Sequence, residues 1–291
     1  SFADPPNMSI SNEDVASILS FINKKDSMPV EVMVMNDSSV HRNTYVLDRG
    51  MYDAPTAEVT FDLPESILKF DTSRFESNRM GLAKWLIDDK NPLTARVFVN
   101  RIWQQFYGKG IVRTTGDFGM QGELPSHPEL LDWLAVDFKN NNWDIKRLVK
   151  EIVMSATYQQ SSEVTETHLN TDPENTYLAR SGRNRMPAEM IRDITLYTGG
   201  ILNPEIGGPS IKPYQPKGIW EVASSGRGLL KTYIQDQGDD LYRRGMYVFI
   251  KRTVPPPSML VFDASNRDQC EVTRMSTNTP LQALSNPFSV I

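Results

Sequence analysis

The stretch Asn91–Trp133, NPLTARVFVNRIWQQFYGKGIVRTTGDFGMQGELPSHPELLDW, decides the fold class, because one run carries a helix, a glycine turn, an acidic loop and a second helix. Val97, Phe98, Ile102 and Phe106 recur at helical spacing and predict a helix over Leu93–Tyr107. Pro92 supplies a stop before it, and Gly108 a left-handed cap after it. Ser126, with Glu129 three residues on, reads as a capping box that opens a helix over Pro128–Lys139.

Outward from this run, apolar periodicity predicts helices over Asn78–Asp88, Ile145–Tyr158, Pro187–Leu196 and Thr277–Leu284. Pro187 at a first turn and Gly199-Gly200 past the end give the usual asymmetry of helix termini. Toward the N-terminus, a helix over Glu13–Lys24, capped by Ser11 or Asn12, precedes strands at Pro29–Met35, Thr44–Leu47 and Glu58–Phe61. Residues 200–242, rich in Gly, Pro, Lys and Asp, read as a long ordered excursion, and loops of that length commonly carry a function. Arg244–Thr253 alternates as a strand. The expected fold is mainly α with a small antiparallel β-sheet (α+β), a compact helical core with long ordered loops. Residues 1–76 hold the N-terminal helix and sheet, and 77–291 the helical core, packed as one unit. No internal repeat or low-complexity tract is visible.

The 291 residues are 39% hydrophobic and 23% charged, enough for a substantial core. A net charge of −5 argues against a general nucleic-acid binder, which needs a basic face to release counterions from phosphates. No apolar run reaches the roughly 18 to 20 residues of a membrane span. The N-terminus SFADPPNMSI lacks the plan of a signal peptide, so the chain is expected to be soluble and already mature or excised. Cys270 stands alone, which excludes an internal disulfide, a cysteine zinc site and Cys-x-x-Cys-His haem attachment. His41, His127 and His168 include no pair at metal-ligand spacing, so no metal site is expected.

Three constellations could carry chemistry. On the Leu93–Tyr107 helix, Arg96, Asn100, Trp103 and Tyr107 fall on one face. With Arg101, they read either as a recognition stripe for a sugar or carboxylate or, as favoured, as a network that pins the following loop. The loop GDFGMQGELPSH brings Asp117, Glu123 and His127 within a short span, residue types suited to general acid/base work or to an oxygen-rich metal site. Capping and turn roles explain them more simply, with Asp117 serving a turn or Arg113. Arg180, Arg183 and Arg185, followed by Glu189, Arg192 and Asp193, offer forked donors to a phosphate, sulfate or uronate. Ion pairs closing that helix onto nearby loops, with Glu189 and Asp193 as local anions, are the favoured alternative. Cys270 reads as an inert thiol, and Ser225 does not sit in a Gly-x-Ser-x-Gly elbow.

Across NRMGLAKWLIDDKNPLTARVFVNRIWQQFYGKGIVRTTGDFGMQGELPSHPELLDWLA (78–135), RNTYVLDRGMYDAP (42–55), DPENTYLAR (172–180), MPAEMIRD (186–193), GGPSIKPYQPKGIWE (207–221) and LYRRGMYVFIKRTVPPPSMLVFDASNRDQC (241–270), the chain resembles domain-of-unknown-function family 1553. That family is the C-terminal module of large bacterial proteins labelled planctomycete cytochrome c proteins. After NTPLQAL this chain departs from the family pattern with SNPFSVI. The resemblance implies an extracytoplasmic bacterial protein, in the periplasm or at the cell surface, of the Planctomycetes or Bacteroidetes. It implies no catalytic residue. No cofactor is expected within this chain, and a c-type haem would sit only on a partner or an upstream domain.

The expected function is therefore a scaffold or partner-binding module of a larger envelope protein linked to polysaccharide use or haem-protein electron transfer. Its expected partners are an upstream domain or subunit of the same assembly and a glycan. The alternative is a hydrolase acting on acidic or sulfated glycans through the Asp117, Glu123 and His127 loop, with Arg96, Asn100, Arg101, Trp103, Arg183 and Arg185 as ligand-binding candidates.

Overall fold

The computed structural model describes residues 33–37, 42–223, 232–265, 267 and 270–285. The expected Glu13–Lys24 helix, His41 and Ser225 lie outside them, as does most of Pro29–Met35, whose described part, 33–35, forms no strand. The chain divides into two compact units, Ser1–Trp85 and Leu86–Ile291.

In the first unit, β1 (Thr44–Leu47) and β2 (Pro55–Val59) pair antiparallel, Thr44 opposite Val59 and Tyr45 opposite Glu58, with an irregularity before Leu47 meets Pro55. The second strand thus begins three residues earlier than Glu58, because Met51–Ala54 alone completes the turn: Asp48 N–H donates to Ala54 O at 2.9 Å. Every residue of this ribbon is exposed. Burial lies beyond it, where Phe70 meets Phe61 edge to face and stacks on Phe75, and the Trp85 indole donates to Leu68 O at 2.8 Å. Helix α1 (Arg79–Leu86) carries that tryptophan.

The second unit is helical, with α2 (Thr94–Tyr107), α3 (Pro128–Asn140), α4 (Ile145–Met154), α5 (Glu166–Thr171), α6 (Ala188–Thr198), α7 (Ile219–Ala223), α8 (Pro257–Val261) and α9 (Pro280–Ser285). The described residues are thus mainly α with a two-stranded sheet. Val99 and Trp103 of α2 meet Leu131, Leu134 and Phe138 of α3 and Leu148 and Ile152 of α4 in the main core. A smaller core joins Ala188 of α6 to Ile211, Val248, Met259 and Phe262.

Several local expectations are corrected. Ser126 does not cap α3: its hydroxyl bonds Ile111 O at 3.2 Å, and His127 takes the cap position without a side-chain bond to the helix backbone. The entry to α2 is organised by Asn91, whose carbonyl oxygen accepts from the N–H groups of Leu93 and Thr94. Helix α4 stops at Met154 because the Ser155 hydroxyl turns back to Ile152 O at 2.7 Å. Arg244–Thr253 forms no strand. A 3-10 turn occupies Gly245–Tyr247, and single bridges follow at Val248 and Lys251. Pairing at Val248 is confined to one parallel bridge, in which Ile211 donates to Tyr247 O and accepts from Phe249 N–H, both at 2.7 Å, and it does not extend into a strand. Gly108 ends α2 as expected, with φ 77° and its N–H on Gln104 O.

Candidate functional site

The site begins with the way α2 holds the loop that follows it. Asn100 is fully buried, and its amide bonds both backbone groups of Val112, accepting from N–H at 2.8 Å and donating to O at 3.0 Å. Gly110 is required for this approach, because a Cβ there would stand 2.4 Å from Val112 O and 2.6 Å from the Asn100 amide. The chain therefore folds back along α2 and presents Lys109 and Arg113 side by side.

Facing them is the segment after α5. The Asp172 carboxylate accepts from the N–H groups of Thr176 and Tyr177, both at 2.8 Å. Buried Arg180 donates to Asp172 O at 3.1 Å and Pro173 O at 2.8 Å, and Asn175, at φ 55°, ties its amide to Arg180 O. Burial opposes ionisation of Asp172, but the two backbone donors and the Arg180 and Arg113 charges outweigh it and hold the carboxyl below its ordinary value. Glu174 is thereby offered to both cations, 3.1 Å from Lys109 Nζ and 2.7 Å from Arg113. The Lys109 hydrogen bond and charge, then those of Arg113, lower its pKa as well.

Between these walls lies a cavity of about 350 Å³, floored by Trp103 and Tyr107. The two rings stack at 4.2 Å, so each covers a face of the other, and burial raises the Tyr107 phenol above its ordinary value against the pull of Ser155. In the described lining Lys109, Arg113, Arg180 and Arg183 stand against the Glu174 carboxylate, and the Asp172 carboxylate couples to Arg180 and Arg113. In a chain of net charge −5 this is a local positive field, and low-dielectric walls focus it.

A second cavity, of about 630 Å³, opens beyond Arg183 between α2, α6 and residues 271–276. Two of its arginines are matched by carboxylates, and Glu271 adds a further carboxylate to its lining. Arg185 meets Asp263, which also accepts from Thr277 N–H at 2.7 Å, and Arg274 meets Glu189 at 2.7 Å. Burial works against the Asp263 carboxylate, but the Thr277 and Arg185 bonds prevail and its pKa is lowered.

The predicted residues distribute unevenly over this geometry. Trp103, His127 and Arg183 line the first cavity, and Arg183 and Arg185 the second. Arg96 instead ties α2 to α3, with Nε 2.6 Å from Asp132. Asn100 pins the 110–112 loop, and Arg101 is exposed and lines neither cavity. Asp117 accepts from Gly119 N–H at 2.7 Å in a turn, while Arg113 goes to Glu174 instead. Glu123 is exposed, and the described lining of both cavities includes neither carboxylate. Among the described residues no group of three or more His, Cys, Asp or Glu stands close enough to hold a metal ion.

The arginine-rich stretch does close α6 onto its surroundings, but through distant partners rather than local anions. Glu189 reaches Arg274, Arg192 donates to Leu241 O at 2.7 Å, and Asp193 accepts from Gly245 N–H at 2.6 Å. Lys109, Glu174 and Asn184 were not legible as site residues, because the Lys109–Glu174 contact joins positions 65 apart.

A mainly α module with one cation-lined cavity is the class that fold and site define. The chain belongs to the family PSD1, protein of unknown function (DUF1553), whose match spans residues 78–286. The RNTYVLDRGMYDAP segment lies before that span. Neither a curated protein nor a solved structure matches the chain.

Proposed function

We propose that this chain is a ligand-binding module of a larger extracytoplasmic envelope protein, and that its first cavity receives an anionic group without catalysing its conversion. The observation that carries this reading is the excess of cations in the described lining of the cavity, where Lys109, Arg113, Arg180 and Arg183 stand against Glu174, with the Asp172 carboxylate beside Arg180 and Arg113. Forked guanidinium donors suit carboxylate and sulfate oxygens. An acidic or sulfated glycan offers such groups. The partner that completes the protein is an upstream domain or a subunit of the same assembly, and a c-type haem belongs to that partner.

Calorimetric titration of the purified chain with glucuronate and with a sulfated monosaccharide tests the anion site. Saturable binding that Arg113→Ala abolishes supports it, and no heat from either ligand overturns it. Native mass spectrometry of the protein recovered from its host, with visible absorbance on the same sample, tests the assembly. Recovery of a lone chain without a haem-bearing fragment or subunit overturns that part.

A hydrolase of acidic or sulfated glycans is supported by His127, which lines the same cavity. General acid/base hydrolysis needs a second group within reach of the scissile bond. Release of reducing ends from uronate-containing or sulfated polysaccharide, lost in His127→Gln, would replace the non-catalytic reading.

A further inference from the structure

The two cavities share a wall: Lys109, Arg183 and Asn184 line both. Asn184 is set there by close backbone approach, since a Cβ on Gly108 would stand 2.2 Å from its Oδ1 and one on Gly182 2.8 Å from its Nδ2. The side chain that divides the cavities is thus slim, and the backbone beneath it carries no bulk.

The halves differ in character. The first is cationic, whereas in the second Arg185 and Arg274 are matched by Asp263 and Glu189, and Glu271 offsets part of the charge of the shared Lys109 and Arg183. What the second adds is hydrogen-bonding capacity from Gln104, Gln105, Thr273 and Ser276 beside the apolar Met186 and Val272. Their volumes, about 350 and 630 Å³, each fall within the range of roughly 300–1,000 Å³ typical of small-molecule sites.

We infer that the cavities are consecutive subsites for one extended oligosaccharide, its acidic unit held in the first by Lys109, Arg113 and Arg183 and its neutral, hydroxyl-bearing units running past Asn184 into the second. This rests on the first cavity being an anion site. A hydroxyl-rich chain is favoured over an acidic peptide, because the second cavity offers side-chain amides and hydroxyls to ligand hydroxyls, and its lining segments, α2, α6 and the strandless 271–276 run, present no strand edge to a peptide backbone. Lys109 and Arg183 are the cations common to both subsites, so they position the joint of the ligand rather than one end.

The experiment is calorimetry of the full chain with glucuronate and with uronate-capped di-, tetra- and hexasaccharides, repeated with sulfate in place of the carboxylate. Affinity is expected to rise about 10- to 100-fold once the chain reaches the second cavity, the modest end of what a linked second contact contributes, and then to level off. Gln105→Trp, an exposed α2 position facing the second cavity, is expected to abolish that gain and leave glucuronate binding unchanged. Arg113→Ala is expected to weaken every length by a similar factor. Binding that is independent of length, or a length gain that survives Gln105→Trp, overturns the inference while the anion site stands. No binding at any length overturns both. Tighter binding of an oligoglutamate than of the hexasaccharides overturns the saccharide assignment, and the better of the carboxylate and sulfate series identifies the acid.

Discussion

Replacing Asn100 with leucine removes the amide that holds the site loop while keeping the side-chain volume close to native. In the native protein that amide satisfies both the N–H and the carbonyl of Val112 in a position with no solvent access. After substitution both backbone groups stay buried without partners, and each such loss costs about 1–3 kcal/mol. The two losses are not additive, because the loop can shift to recover one of them, so the expected destabilisation is about 2–5 kcal/mol. For a unit of this size each kcal/mol lowers the melting temperature by about 2–4 °C, giving a fall of roughly 4–20 °C. Urea unfolding followed by tryptophan fluorescence is a suitable assay, since Trp103 lies one helical turn from Asn100 in the same core. Asn100→Asp is expected to be no milder at neutral pH, because the carboxylate keeps an acceptor for Val112 N–H but turns a second acceptor on Val112 O. A loss below about 0.5 kcal/mol for the leucine variant, within the range of an ordinary surface change, would refute the view that this amide pins the loop.

Further expectations concern positions away from that loop. Asp263 has its carboxyl pKa lowered in the fold, so its contribution to stability is present above the ordinary carboxylate range and is lost as pH falls through the folded value. Asp263→Asn is accordingly expected to flatten the acid limb of a denaturant-midpoint titration, and an unchanged slope would contradict the assignment. Arg243 is buried, donates to Pro209 O at 2.9 Å and to Gly207 O, and lies 4.0 Å over the Tyr247 ring. Lysine lacks the planar fork for these contacts, so Arg243→Lys is expected to cost about 3 kcal/mol in chemical denaturation. Burial, reinforced by Asp236 and opposed by Arg192, pushes the Tyr233 phenol up to about 12. Alkaline ultraviolet titration is expected to show a late phase to which Tyr107 and Tyr233 contribute, and Tyr233→Phe to remove the Tyr233 part of it.

Local signals succeeded where the chain's own neighbours supply the physics. The helical spacing of α2 and α3, the stop at Gly108 and the hairpin at Thr44–Leu47 all depend on residues a few positions apart, and all stand in the structure. The Ser126 cap failed for a tertiary reason: the same hydroxyl that could close a helix start found Ile111 O instead. The Arg244–Thr253 alternation failed similarly, since its apolar residues dock on Ile211 and on α6 without a strand partner to continue. Polar residues were the least legible. Arg96, Asn100 and Trp103 share a helix face in sequence, but burial divides them among a helix–helix tie, a loop clamp and a cavity floor.

By itself the sequence determined the class of the fold, the identity of the family and the absence of cysteine-based staples, because periodicity, motif and composition are properties of order along the chain. Which charges remain available to a ligand was decided only in three dimensions. Lys109 and Arg113 could have been solvated ends, and Glu174 and Arg180 members of a polar loop. They line one cavity because Asn100 and Asp172 hold the two remote segments that carry them. Electrostatic interaction falls off over a few ångströms in solvent, so a cation-lined cavity exists only where packing has set that distance.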